Sequence, residues 1–418
     1  MATATTTLPV GQVAYVKELY PRLRPDDAAI ERYRDAIDNL PPIVVARGTR
    51  GAVLVDGYHR WQAHIREGRA EIAVEDLGDI TDAAIFNESV RRNAQHGQQL
   101  SRSDKKALAA KLWQTLAHLN GERVATIAEL LAVSERSVQE WTKGARTDEK
   151  RALQAKAWDL WLDCATQEQI SAQVGADQAT VSRWMQERSS AEMHDEPPES
   201  RQHFDVWNFT TADKDAGAQS YFGAIPPQVI ENLLWLYTDP GDIVIDLFAG
   251  SGTTVEVAKR MGRRVWASDI RGNHYSPFLP IHTHDATTGW PADAPKKAKL
   301  VVLDPPYWQQ AKGRYSSEPN ELAEMGLDDF NAAWRDVITA SKDRAERIAY
   351  IVSPTQLEDG TVIDHATDML AAATKVGLTV DRRIIVPYQT QQATGQQVEW
   401  ARTNKRLLKL YRDLVVLR

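Results

Sequence analysis

The stretch Asp242-Ile-Val-Ile-Asp-Leu-Phe-Ala-Gly-Ser-Gly-Thr-Thr254 decides the fold. Its apolar run stops at a turn of small residues, and the amphipathic Val255-Glu-Val-Ala-Lys-Arg-Met261 follows, so the order is strand, glycine turn, helix. Gly250 and Gly252 let the backbone pass close under a ligand, while the first turn of the helix offers unpaired N–H groups to a polar group lying there. Turns of this kind serve nicotinamide, flavin, nucleotide and methyl-donor cofactors alike.

A second stretch narrows that choice. Lys299-Leu-Val-Val-Leu303 reads as a buried parallel strand delivering Asp304-Pro305-Pro306-Tyr307-Trp308 to the carboxyl edge of a sheet, where open α/β folds place their ligands. Two successive prolines forbid a continuing strand and fix the backbone, so the Asp304 carboxylate and the Pro305 carbonyl are held as two acceptors beside an aromatic ring. Such a group suits an exocyclic amine. The lone pair of an adenine or cytosine amino group is delocalised into its ring. Acceptors on both N–H bonds favour a pyramidal nitrogen whose lone pair is free to attack, with Tyr307 stacked on the base.

In this order and spacing the motifs resemble the amino-methylating DNA methyltransferases, over about half of the chain, from His203 to Arg418. The resemblance implies a Rossmann-like, doubly wound α/β domain that uses S-adenosyl-L-methionine, with Asp304, Pro305, Pro306 and Tyr307 as the catalytic group. It assigns cofactor contacts to Asp246, Phe248, Ala249, Gly250, Gly252 and Thr253 around the turn, and to Ile225 and Pro226 in a helix, Tyr221 to Leu234, that closes over the methionine end. Asp269 with Ile270, closing the strand Arg264-Val-Trp-Ala-Ser-Asp269, falls where an acid accepts the ribose hydroxyls. Asp285 with Ala286 falls where the family reads the cofactor's adenine. N6 of adenine is favoured over N4 of cytosine, since Asp is the commoner first residue of the motif in adenine enzymes and Ser in cytosine enzymes. Transfer would be direct, because the one cysteine, Cys164, lies outside the catalytic region. The target base would leave the stack or come from a single strand.

Length and composition bound the rest. At 418 residues, with roughly 150 per domain as a prior, three units are expected, and 43% hydrophobic with 26% charged residues is a globular composition. A single cysteine excludes an intramolecular disulfide framework and a cysteine-rich zinc site, and no metal is expected. No secretory signal or membrane-spanning run is evident, which points to the cytoplasm and, for a DNA-modifying protein, to the nucleoid. A net charge of −7 requires that any DNA-binding basic groups be clustered, because counterion release depends on local phosphate contacts.

Residues 1–98 read as a small α/β domain. A helical stretch from Pro25 to Leu40 is stopped by Pro41-Pro42, the strands Ile43–Ala46 and Ala52–Asp56 follow, and then Asp56-Gly57-Tyr58-His59-Arg60 feeds a helix. This segment resembles the ParB/sulfiredoxin-type domain, which implies a nucleotide phosphate site at Asp56, Gly57, His59 and Arg60. The sulfiredoxin cysteine is absent, and Asn93-Ala-Gln-His96 matches the second phosphate motif poorly. A scaffold in which Asp56 and His59 only cap and orient remains the other reading.

Residues 99–188 read as two helix-turn-helix units about 40 residues apart, Thr126–Lys143 and Gln167–Trp184, with Ser134 capping and Gly175 turning. Arg136, Ser137 and Gln139 in the first, and Gln178, Thr180 and Arg183 in the second, would face the major groove. Trp113, Trp141, Trp158, Trp161 and Trp184 recur at core-like positions and read as packing. Residues 189–202, polar, acidic and proline-bearing, read as a linker, and 203–418 as the catalytic domain. There Gln309 to Glu324, with Arg314 and Tyr315, is a candidate mobile loop or a plain crossover. A helix Leu327–Ser341, strand Ile348–Val352, helix Val362–Val376 and strands Asp381–Val386 and Leu414–Leu417 would complete a mostly parallel sheet.

The expected partners are DNA and, at the N-terminal domain, a nucleoside triphosphate, with no membrane; the oligomeric state, a homodimer included, stays open. A partition or regulatory protein with an inactive methyltransferase domain is the competing reading. Methylation of protein glutamine or RNA is a third, which leaves the helix-turn-helix units unexplained.

Overall fold

The computed structural model describes every residue except 1–4, 23–25, 96–99, 194, 210–215, 218–224, 310–321, 358, 360 and 389–393. The chain divides into two compact units, Met1–Ala152 and Leu153–Arg418.

The first unit opens with a five-stranded sheet and its helices: β1 Thr5–Pro9, β2 Val13–Ala14, α1 Asp27–Asp35, β3 Ile43–Gly48, β4 Gly51–Asp56, α2 Tyr58–Arg66, β5 Glu71–Asp79 and α3 Asp82–Gln95. The strand order is β1-β5-β3-β4-β2. Ile43, Val45, Leu54 and Val74 fill one face and Val44, Ala46, Val53 and Val55 the other, as alternation requires of a sheet covered on both sides. α4 Arg102–Thr115, α5 Arg123–Leu131 and α6 Glu135–Trp141 follow, and α7 Lys143–Leu162 leads out of the unit. A capping box of Ser101 and Asp104 starts α4, and Ser134 accepts from Ser137 N at 3.2 Å to start α6.

In the second unit the end of α7 joins α8 Gln167–Val174 and α9 Gln178–Glu192, whose shared core includes Trp158, Ile170, Val181 and Trp184. A capping box of Thr166 and Gln169 starts α8, Gly175 at φ 66° ends it, and Asp177 caps α9. Then come α10 Pro227–Tyr237, β6 Ile243–Asp246, α11 Thr253–Arg260, β7 Arg264–Asp269, β8 Ile281–Thr283, β9 Ala298–Leu303, α12 Leu327–Lys342, β10 Ala345–Val352, β11 Thr355–Gln356, β12 Val362–Ile363, α13 His365–Lys375, β13 Val380–Pro387, α14 Gly395–Thr403 and β14 Tyr411–Leu417.

Seven of these strands form one sheet, β13-β14-β10-β9-β6-β7-β8, parallel except where β14 pairs with β10 and β13. α10 and α11 cover one face and α12 and α13 the other, each over its own apolar cluster. This is a doubly wound α/β sheet. The central strands are almost wholly apolar because both faces are buried: Val244, Ile245, Leu300, Val301, Val302 and Leu303 are each 0% exposed.

Two expectations give way. Val362 does not open a helix; it pairs with Gln356 across the β11–β12 hairpin, and α13 starts only after Asp364, whose side chain accepts from Thr367 N at 3.2 Å. Nor do 189–202 form a free linker. α9 runs on to Glu192, Asp195 pairs with the buried Arg263 guanidinium at 2.9 Å, and Gln202 N donates to the buried Asn232 at 2.6 Å. A buried cation and a buried amide both need partners, and this segment supplies them.

Candidate functional site

β6 ends at Asp246, and Leu247 to Gly252 turn the chain into α11. Gly250 at φ 47° and Gly252 at φ 86° take left-handed conformations, and a Cβ on Gly252 would lie 2.2 Å from Leu279 Cδ1. The turn is braced from below and from the side. Asp246 Oδ1 accepts from Phe248 N at 2.9 Å, Ala249 N donates to Ser268 O at 2.9 Å, and Ser276 Oγ donates to Ser251 O at 2.6 Å.

Asp269, at the carboxyl end of β7, accepts from Gly250 N at 3.0 Å through one oxygen and from Arg271 N at 3.0 Å through the other. Burial pushes its pKa up against those two bonds. His284 N donates to Asp269 O at 3.0 Å, which draws Asp285 and Ala286 to the same edge. Asp285 Oδ1 is held by Thr287 through its N–H at 2.9 Å and its hydroxyl at 2.7 Å. The glycine turn, Asp269 and Asp285 thus share the carboxyl edges of three adjacent strands. Each oxygen of Asp269 keeps lone-pair capacity beyond its one backbone donor, so this set fits an adenosyl group: hydroxyl pairs at Asp269, a polar base edge at Asp285. Ile225 is buried on the cluster under α10, and Pro226 caps that helix. α10 begins at Pro227, and the expected helical turn over 221–224 lies outside the described residues.

Asp304 follows β9, next to β6 in the sheet. Tyr307 Oη donates to Asp304 Oδ1 at 3.3 Å, and Tyr307 itself is buried. The two prolines pass into Trp308, whose Nε1 donates to Met325 O at 2.9 Å and whose carbonyl accepts from Thr355 Oγ1 at 3.0 Å. His365 stands edge-on to Trp308, with centroids 5.8 Å apart, and shares a 3.1 Å hydrogen bond with Thr355. Burial pushes the Asp304 carboxyl up to about 7, and the neighbouring Asp246, itself pushed up to about 6 by burial, adds to the rise. Arg412 and Tyr307 act the other way. Arg412, Thr355 and His365 are site residues that motif reading missed; Arg412 left the one faint trace, a charged pair Arg412-Asp413 at the mouth of an apolar strand. Arg314 and Tyr315 lie outside the described residues.

The groove-reading candidates lie on α6 of the first unit and α9 of the second. On α6, Arg136 and Gln139 are exposed, and Ser137 hydroxyl shares a 3.0 Å hydrogen bond with Ser134. On α9, Gln178 and Arg183 are exposed, and Thr180 is bound to Asp177. The tryptophans pack: Trp158 and Trp184 are buried, and Trp158 stacks on Trp161 at 4.8 Å. In the first unit Gly57 caps α2 at φ 99°. Arg60 turns back to Asp56 at 2.8 Å and to the Pro42 carbonyl at 2.6 Å, while His59, 6% exposed, accepts from Asp26 N at 3.1 Å. Burial, aided by Arg22, pushes the His59 pKa down.

Residues 98–277 match the DNA methylase family of N6/N4 type. The DNA methylase match takes in the glycine turn and Asp269 and stops short of Asp304. The transcriptional regulator NovG of Streptomyces niveus is 36% identical over 103 residues, 24% of this chain and 31% of its own. The type II methyltransferase M1.MboII of Moraxella bovis is 32% identical over 83 residues, 18% of this chain and 32% of its own. The chain therefore spans about a third of the length of the curated relatives it matches. Among solved structures, ParB of Caulobacter crescentus complexed to the centromeric parS site covers 44% of this chain and 92% of its own, at 18% identity and a TM-score of 0.26, a likeness too distant to bear on activity. Among the described residues, no group of three or more His, Cys, Asp or Glu is placed to hold a metal, and no helix is long and apolar enough to cross a membrane.

Proposed function

We propose that this chain is an S-adenosyl-L-methionine-dependent DNA methyltransferase acting on an exocyclic amine, with N6 of adenine favoured over N4 of cytosine. One observation carries the reading: Asp304-Pro-Pro-Tyr307 closes the strand adjacent to β6, so the amine-accepting group stands beside the glycine turn and Asp269. The family match over 98–277 supports the methyl-donor side of it. Bound at the turn, the cofactor supplies an electrophilic methyl group.

This chain's own residues do the rest. The Asp304 carboxylate and Pro305 carbonyl accept the two N–H bonds of the target amine and aim its lone pair. Tyr307 holds Asp304 through its hydroxyl, and its ring is the group assigned to stack on the base. Trp308, fixed by Met325 and Thr355, sets where the motif ends and excludes water behind it. The amine proton released on transfer passes to Asp304 and on to solvent. Choice of DNA sequence is assigned to α6 and α9, the two exposed second helices of the helix-turn-helix units.

The deciding test incubates the full chain with labelled cofactor and DNA and identifies the modified base by mass spectrometry. The expected product is N6-methyladenine. Asp304→Ala should abolish transfer while cofactor affinity persists, and Asp269→Ala should weaken cofactor binding first. Methylation of neither base, or the opposite pattern in the two variants, defeats the proposal.

A further inference from the structure

On the sheet face covered by α10 and α11, the four neighbouring strands β6, β9, β10 and β14 each carry a polar side chain above apolar ones at the carboxyl edge of the sheet. Alternation places Asp246 with Val244, Asp304 with Leu300 and Val302, Ser353 with Ala349 and Ile351, and Arg412 with Leu414 and Val416, and all of these apolar residues belong to one cluster. Strands β9, β10 and β14 are consecutive, with Leu303 opposite Tyr350 and Val352 opposite Asp413. Arg412 therefore starts two strands from Asp304, roughly 10 Å across at the usual strand spacing, a span that a long side chain largely closes.

Arg412 is 7% exposed, and its guanidinium lies 4.6 Å over the Tyr388 ring. Its neighbour in sequence, Asp413, faces the opposite side of the sheet and binds Arg383 at 2.8 Å. We propose that Arg412 is a positioning residue of the reaction, the buried counter-charge that keeps Asp304 in the carboxylate form able to accept the target amine. This inference rests on the methyltransferase reading above.

Among the described residues, the titratable and charged groups acting on Asp304 are Arg412 from β14, Asp246 from β6 and Tyr307 from its own loop. Beyond Arg412 stands Lys409, which burial and then Arg412 push down to about 8. With Asp304 at about 7, the carboxylate fraction changes steeply around neutrality. Arg412 is the strongest influence opposing that rise, so its loss shifts the titration further up.

The test compares pH–rate profiles of methyl transfer by the full chain for wild type, Arg412→Gln and Arg412→Lys, with cofactor affinity and thermal midpoint measured alongside. Arg412→Gln should move the acid limb up by about one unit, a loss of about tenfold on that limb that recovers as pH rises, and Arg412→Lys should restore the limb. Arg412→Met, which keeps the apolar stem, replaces Arg412→Gln if the latter does not fold. An unmoved acid limb, or a lysine variant no better than the neutral one, overturns the inference. If Asp304→Ala is dead while the neutral variant leaves the limb in place, the methyltransferase reading stands and only the role of Arg412 falls. If Asp304→Ala is fully active, both fall.

Discussion

Asp304 holds its proton more tightly in the folded chain than in the unfolded one, with consequences for stability as well as for the proposed transfer. Its pKa is raised from 3.8 to about 7 by burial, so between those values the native state binds more protons than the unfolded state. Stability contributed by the protonated form is present at low pH and lost as pH rises through that window. Asp304→Asn removes the titration. The variant should gain little over wild type at pH 4.5 and on the order of 2 kcal/mol at pH 8, read as a pH-dependent difference in thermal midpoint without cofactor. An equal difference at both pH values would show that the carboxyl is not buried as described. At this scale the sequence was legible where chemistry is written in consecutive residues: Asp304 announces itself through two prolines and an aromatic. Arg412 could not be found that way, since its significance comes from a register across β9, β10 and β14 that links positions more than a hundred residues apart.

Among the elements, the glycine turn was the most legible because its constraint is local. A backbone that must leave a buried strand and enter a helix within six residues calls for left-handed φ, and glycine supplies it. The structure adds what the sequence could not: the space above Gly252 is filled by Leu279, brought there by the chain between β7 and β8. Gly252→Ala then meets two penalties, a strained φ of 86° and a Cβ 2.2 Å from Leu279 Cδ1. A loss of about 1–3 kcal/mol in unfolding free energy is expected, with weakened cofactor binding as the turn shifts. Unchanged denaturation and unchanged titration with cofactor would mean that the turn is looser than its geometry implies. The boundary of α13 was misread for a related reason. Val362 and Ile363 fit a helical period, but their β-branched chains pair with β11, and the helix waits for the cap at Asp364.

At the scale of the second unit, its helical part and its sheet are joined where the sequence suggested a free tether. Asp163 meets Lys259 at 2.5 Å, Arg264 Nε donates to Trp161 O at 3.1 Å while its guanidinium lies 5.2 Å from the Trp161 ring, and Asp195 meets Arg263. All three sheet-side residues flank the start of β7, at the amino edge, whereas Gly250, Asp269 and Asp304 lie at the carboxyl edge. With strands of four to eight residues at ~3.3 Å each, the helical seat lies roughly 15–25 Å from the pocket. Sequence patterning could not reveal this, because acidic and polar residues look alike whether they are solvated or bound to a buried arginine. If α9 reads bases while that seat is held, those bases lie about five or more pairs from the methylated one, at ~3.4 Å per pair. Gln178→Ala with Arg183→Ala in the full chain should therefore relax sequence preference at positions distant from the target base, leave the immediate neighbours unchanged, and reduce discrimination by about 1–3 kcal/mol per lost contact. Sequencing of methylated positions measures this. A preference unaltered at every position would make α8 and α9 a buttress for the sheet, and a change confined to the target's nearest neighbours would show that the helical seat is released when DNA is bound.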